Sequence, residues 1–485
     1  MKHMAAALFW IAGAVSAQNP LGYSVATPRP INPAEGTTTP SASAAQGQNP
    51  FLGSIPAATT GGTIELSLAG AIERGVRYNL GLVESNHASA DARSERLRAL
   101  SLLLPQISAR GRQAYEDISF KEIGIKLPPI LGFSLPPTSG GFGYQDARVS
   151  LTHNLYSRQL SEQYKSEKSA EQSSIWNIKD ARDVVVLAVG TAYLQVIASA
   201  ARVEAVKAQL ASARELDRQT ADRVSSEVSP EIDSLRAQVE RQSVEQRLTN
   251  AENQLEKDKL TLGRITGLPV EQNFVLTDRL EYRPRVTESV ELATAEALGS
   301  RSDLRSAEAS VRAAEFTLRA QKAERLPVIS VSADYGAGGT NLGNMSQVYS
   351  VSGNVSVPIY TGGRIRAEIE QARADLERKQ AEYADLKGRI AYDVKVAWLD
   401  VAASDSSAKL AARNKVLAEQ ALAQSRDRYA NGVTNYLEVV QGQEAVAAAN
   451  DNYVESLYSL NLATISLARA MGGAESRVYQ LLGAK

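Results

Sequence analysis

The chain contains no cysteine. That excludes disulfides, thiolate chemistry and a lipid anchor carried on cysteine. Histidine is nearly as scarce: His3, His87 and His153 lie far apart in sequence, which argues against a histidine metal site. Charge of one sign is lacking too. Fifty-three Lys and Arg balance 54 Asp and Glu, for a net charge of −1 over 485 residues, so there is no electrostatic case for nucleic acid. No Walker loop, Gly-x-Ser-x-Gly elbow or zinc-ligand pair is found. "GAGGTN" follows a strand, but no helix follows it and the third glycine of a dinucleotide loop is missing, so it reads as a strand turn. The sequence therefore predicts no enzyme, no metal and no cofactor. Beyond the N-terminus, no segment is expected to reach transmembrane-helix length without charges.

What is present begins with "MKHMAAALFWIAGAVSAQNP". Lys2 gives a positive start, Ala5 to Val15 is apolar, and Val15-Ser16-Ala17 fits a small-residue cleavage site. About eleven apolar residues are too few to span a bilayer, which needs roughly 20. Residues 1–17 are expected to be a secretory signal peptide. Residues 18–62, rich in Pro, Thr, Ser, Ala and Gly, are expected to be a disordered or extended linker.

From Thr63 onward the pattern is largely helical, interrupted by paired strands. A first helix stops at Leu104-Pro105, because a residue before proline is pushed out of the helical region. A strand follows from Gln106, then a loop over 121–143 rich in Pro and Gly, then a strand from Tyr144 to Tyr156. A long helix is predicted from about Gln159 to Val224, a turn at "SSEVSPEID", and a returning helix to Thr266. The order then recurs: helices over 288–298 and 302–325, a stop at Leu326-Pro327, two strands, a helix from about Arg364 to Tyr429, the turn "ANGVTN", and a last helix to Met471. A constant shift of 205 residues pairs Asp222-Arg223 with Asp427-Arg428, Val228 with Val433, Leu255 with Leu460 and Gly267 with Gly472. The domain reading is a first repeat over 63–267, a connector over 268–287, a second repeat over 288–472 and a tail over 473–485.

The long helices would each reach roughly 95 Å at about 1.5 Å per residue. Their apolar positions form a narrow, Ala-rich seam, as at Ile390, Val394, Ala397 and Val401. The strands are two-faced. In "SVSGNVSVPIYTGGRIRAEIEQARADL", Tyr349, Val351, Val355, Val357 and Ile359 share one face and Ser350, Ser352, Asn354 and Ser356 the other. That length and alternation fit a membrane β-strand, with a soluble hairpin as the alternative. Four strands cannot close a barrel, and open edges are not tolerated in lipid. Chains must then share one; two would fill it, while three give twelve strands and a passage. Gly362 and Gly363, followed by Arg364, supply the backbone freedom at the strand–helix junction.

These residues resemble the TolC family of outer-membrane channels, also called outer membrane efflux proteins. The carriers are "VPIYTGGRIRAEIEQARADL" and "RYANGVTNYLEVVQGQEAVAAANDNYVESLYSLNLATISLARAMG", within roughly Thr63 to Gly472. The resemblance implies a mainly α fold with a membrane β-barrel portion: a homotrimer whose twelve-stranded barrel continues into a periplasmic α-helical barrel. It implies an exit duct of a tripartite efflux or type I secretion system in the outer membrane of a Gram-negative bacterium. The implied partners are a periplasmic adaptor, an inner-membrane transporter and outer-membrane lipid. The first half departs from the pattern, since "HNLYSRQLSE" lacks Gly-Gly-Arg.

The resemblance also assigns sites. Glu438 falls on an acidic ring at the periplasmic entrance; Gln441 falls on a second ring without its charge. Tyr429 and Asp233 fall on a gate latch, while Thr434 replaces its expected basic partner. The two tips, Val228 and Ser229 with Asn431, Gly432, Val433 and Thr434, are the expected adaptor contacts, small enough for a partner helix to approach. The bland reading of Glu438 is a first-turn carboxylate favoured by the helix dipole. The alternatives for the whole chain are a periplasmic coiled-coil adaptor, which normally has one hairpin rather than two, or a structural protein of the cell envelope, which would not need the strands.

Overall fold

The computed structural model describes residues 49–482, apart from 60, 118, 120–137, 280–281 and 283–288. The expected signal peptide, most of the linker and most of the first outer loop lie outside the described residues.

Two similar series of elements follow one another. The first holds β1 (Ile64–Leu66), α1 (Leu68–Tyr78), α2 (Leu80–Ser101), β2 (Gln106–Glu116), β3 (Phe142–Tyr156), α3 (Arg158–Ser225) and α4 (Glu231–Thr266). The second holds β4 (Phe274–Leu276), α5 (Val290–Ser300), α6 (Ser302–Ala323), β5 (Val328–Gly339), β6 (Met345–Ser356), α7 (Arg364–Ala430) and α8 (Tyr436–Met471), with α9 (Ala474–Leu482) after it. Equivalent helices match in length: 11 residues in α1 and α5, 22 in α2 and α6, 68 and 67 in α3 and α7, 36 in α4 and α8. The sequence repeat is thus a structural repeat.

β2, β3, β5 and β6 form one antiparallel sheet in that order. Its register sorts the side chains. Ile107, Val149, Tyr335 and Val351 belong to one set of rows, and Ser108, Ser150, Asp334 and Ser350 to the other. A one-residue slip would exchange the two faces. The polar face is tied along β3, where Arg148 reaches Asp146 at 2.7 Å, and across strands, where Arg148 reaches Asp334 at 3.5 Å and Ser350 donates to Asp334 at 2.7 Å. Gly336 is needed beneath this network, since a Cβ there would meet Ala147 O at 2.2 Å. β6 ends at Ser356, earlier than the alternation suggests, because Pro358 offers no N–H to continue the ladder.

The two strand–helix junctions differ as their sequences do. Gly362 and Gly363 adopt φ of 59° and 89°, where a side chain would be strained. Arg364 then bonds Glu368 at 2.7 Å and pairs with Glu324. In the first half, Ser157 caps α3 by accepting from Leu160 N at 3.3 Å, after a bulge between Asn154 and Tyr156.

The main core lies around the middle of α3. Val184 to Ala201 is an uncharged 18-residue run, contrary to the expectation that none exists; it is long and apolar enough to cross a bilayer, yet 56% of it is buried. Val185, Val186, Val189, Tyr193 and Val196 pack there against Ile72, Leu262, Phe274, Ile465 and Val478. Tyr193 donates to Asp278 at 2.7 Å, and Leu68 N donates to the same oxygen at 2.9 Å. Helical periodicity does not begin at Thr63 as expected: Ile64–Leu66 is a strand, parallel to Phe274–Leu276. The tail expected after Gly472 contains α9, whose first amide region is held by Asp183, accepting from Gly473 N at 3.2 Å. On α7, Ile390, Val394, Ala397 and Val401 are buried as the seam pattern requires. Ser166 and Ser173 bring α3 close to α6 through hydroxyl contacts with Thr317 and Ser306 at 2.9 and 2.8 Å.

Candidate functional site

The two helical hairpins, α3–α4 and α7–α8, end in turns of the same construction. Val228 N donates to Arg223 O, and Val433 N to Arg428 O, each at 2.9 Å. Each turn passes through a left-handed residue: Gly432 at φ 72° in the second and Glu227 at φ 56° in the first. Glycine takes that conformation without a Cβ penalty; a glutamate does not. Val228 and Val433 are 64% and 66% exposed, so both tips present an apolar side chain to solvent. Ser229, Asn431 and Thr434 stand beside them, and Asn431 bonds back to Asp427 O at 2.9 Å.

Glu438 sits in the first turn of α8. Its backbone N–H donates to Asn435 Oδ1 at 3.3 Å, an N-cap bond. Its carboxylate is held within its own chain: by Arg428 at 3.1 Å, by Ser425 at 3.3 Å and by Thr434 Oγ1. Thr434, the position where the resemblance expects a base, thus serves Glu438 instead. Gln441 is exposed and carries no charge.

Below the tips a small apolar cluster joins the hairpins: Leu216 and Ala237 of the first, Tyr429, Tyr436 and Val439 of the second. The Tyr429 and Tyr436 rings meet edge to face at 6.1 Å. Burial, with Glu240 nearby, pushes the Tyr436 phenol pKa well above its ordinary value. Tyr429 is 7% exposed. The Arg223 guanidinium lies over its ring at 4.7 Å, and Arg223 Nη1 donates to Tyr429 O at 3.2 Å. The Tyr429 hydroxyl has no hydrogen-bond partner among the described residues. Asp233 faces Arg236 at 3.7 Å. The arrangement fastens the two hairpins to each other by apolar packing and by Arg223 against Tyr429. No group of three or more His, Asp or Glu able to hold a metal occurs among the described residues. Arg428 with Glu438 and Arg223 with Tyr429 were not singled out in the sequence; the repeat offered a signal, since Arg223 and Arg428 are equivalent under the 205-residue shift.

Comparison with known proteins agrees with the fold. The family described as "Outer membrane efflux protein" matches residues 293–473. The pyoverdine export outer membrane protein OpmQ of Pseudomonas putida is 26% identical over 233 residues, 46% of this chain and 47% of that protein. Outer membrane protein OprJ of Pseudomonas aeruginosa is 27% identical over 199 residues, 39% of this chain and 41% of that one. The chain thus spans about half the length of the curated relatives it matches. Solved structures extend the likeness in fold. The Campylobacter jejuni CmeC outer membrane channel superposes with a TM-score of 0.72 at 15% identity, covering 88% of this chain and 92% of that one. The outer membrane protein VceC from Vibrio cholerae gives 0.70 at 18%, covering 84% and 96%. The second repeat thus matches the outer membrane efflux protein family, and both repeats share the fold of these solved outer-membrane channels.

Proposed function

We propose that the protein is an outer-membrane exit duct of a tripartite efflux or secretion system, working as a homotrimer. The observation that carries this reading is the four-stranded sheet. Its apolar rows are open to the surroundings, with Ile107, Tyr349, Val351 and Val355 between 69% and 77% exposed. Only the inner edges of β2 and β6 are paired among the described residues. Lipid would cover such a face, and second and third copies would pair such edges, giving twelve strands. The polar rows would then line the passage. OpmQ, named for pyoverdine export, and BepC of Brucella suis, named an outer membrane efflux protein, support the same direction of transport.

The tips would receive a periplasmic adaptor that links the duct to an inner-membrane transporter, with Val228, Ser229 and Asn431 to Thr434 as the contact. Glu438 would ring the entrance, with much of its charge answered by Arg428. The Asp233 and Tyr429 latch would form only in another arrangement of the tips than this one. Purified protein in detergent should have the mass of three chains and give discrete conductance steps in planar bilayers. A monomer that folds stably in membranes and never conducts would end this reading.

A further inference from the structure

Between the hairpins, just below the tips, lies a cavity of about 690 Å³ lined by Ser212, Gln219, Arg223, Arg426 and Tyr429, among others. Two of its buried donors have no acceptor among the described residues. Tyr429 is more than nine-tenths buried and its hydroxyl has no partner. Arg223 Nε is buried without a partner as well. Arg426, at the rim, donates to Ser212 Oγ and forms no ion pair among the described residues. Desolvation lowers its pKa. Of the carboxylates that share the cavity, two are paired with Arg218 and the third meets only a neutral amide. Glu215 is held by Arg218 at 2.7 Å and Gln219 at 2.8 Å, Asp222 by Arg218 at 3.5 Å, and Asp427 accepts from Asn431 at 3.4 Å.

Buried donors left unpaired are costly, and an acceptor that reaches several of them recovers that cost. We infer that Arg223, Tyr429 and Arg426 form a binding site for a small oxyanion, phosphate-like or carboxylate, at the seam between the two hairpins. Arg223 comes from the first repeat and the other two from the second, so an anion there fastens one hairpin to the other. The guanidinium groups suit oxyanion geometry, and the phenol adds a directed third donor. The site lies outside the sheet and does not depend on the channel reading.

The test uses the full-length protein in detergent and inorganic phosphate as the probe. Thermal unfolding is followed as phosphate replaces chloride at constant ionic strength. A saturable rise in Tm is expected for the wild type, because a ligand bound only by the folded state stabilises it. Arg426→Gln, at the solvent rim, should weaken the apparent affinity about tenfold or more. Tyr429→Phe, which keeps the ring packing, should weaken it several-fold. Both variants should retain the wild-type circular dichroism. No saturable shift in the wild type, or an unchanged response in Arg426→Gln, overturns the site.

Discussion

Val351 and Ser352 are adjacent on the edge strand β6, yet the account sends them to different solvents. Val351 pairs with Ala333 and lies in the apolar rows, 73% exposed. Ser352 pairs with Ser332 in the polar rows, and their hydroxyls meet at 2.8 Å. A lysine on the lipid face of a membrane barrel costs about 2–4 kcal/mol near the midplane. Val351→Lys should therefore cost about that much per chain, and about three times as much per trimer. Ser352→Lys loses one exposed hydroxyl bond, roughly 1 kcal/mol net. On an ordinary water-facing sheet the order would reverse, because surface substitutions stay within about 0.5 kcal/mol. Urea unfolding in lipid bilayers, read by tryptophan fluorescence, measures both variants against the wild type. If Val351→Lys is as stable as Ser352→Lys, the apolar rows do not face lipid and the membrane assignment fails.

Other consequences follow at the tips and the core. Gly432→Val places a β-branched side chain at φ 72° and should cost about 1–2 kcal/mol locally, whereas Glu227→Gly at the equivalent turn should be neutral or stabilising; hydrogen exchange at the two tips distinguishes them. Arg428→Gln releases Glu438 from its ion pair and should strengthen blockade by multivalent cations in planar bilayers, while Glu438→Gln should weaken it; equal blockade in both would remove Glu438 from the entrance. Asp183 has its pKa raised, chiefly by burial, against the opposing pull of Arg469 and the α9 amides. A carboxyl whose folded pKa is raised binds its proton more tightly in the native state, so its contribution to stability grows as pH falls from neutral through that raised value. Asp183→Asn keeps an acceptor for α9 and should abolish that part of the pH dependence, seen as a flatter difference curve of Tm against pH.

The legible parts of this chain were those set by local pattern. Leu104-Pro105 and Leu326-Pro327 stop their helices within a few residues of the observed ends, and the alternation over 350–356 gives the correct two faces. The constant 205-residue shift anticipated the equal 36-residue returning helices and the matched turns. What escaped was non-local. The three-residue strands Ile64–Leu66 and Phe274–Leu276 are too short to carry a period, and they exist because each has the other to pair with. Val184 to Ala201 shows why an apolar run needs a context: the α1, α4 and α8 ends cover much of it. At the tips, the resemblance supplied Glu438 and Tyr429 but not their surroundings. Arg428 beside Glu438 and Arg223 over Tyr429 depend on two hairpins meeting, which no single stretch of sequence encodes.

The central claim is that the free edges of β2 and β6 meet in neighbouring copies. The natural lack of cysteine makes this directly measurable, because any disulfide must come from introduced residues. One cysteine replaces Ala109 on β2, and a second is moved along β6 from Val348 to Val355 in separate variants. A control pair, at Ala147 and Ala337, lies across the β3–β5 register within one chain. Oxidation of outer membranes should yield covalent dimers and trimers for one or two adjacent β6 positions, and no larger ladder. If the control pair closes while every β2–β6 pair stays monomeric, the three sheets do not share a barrel.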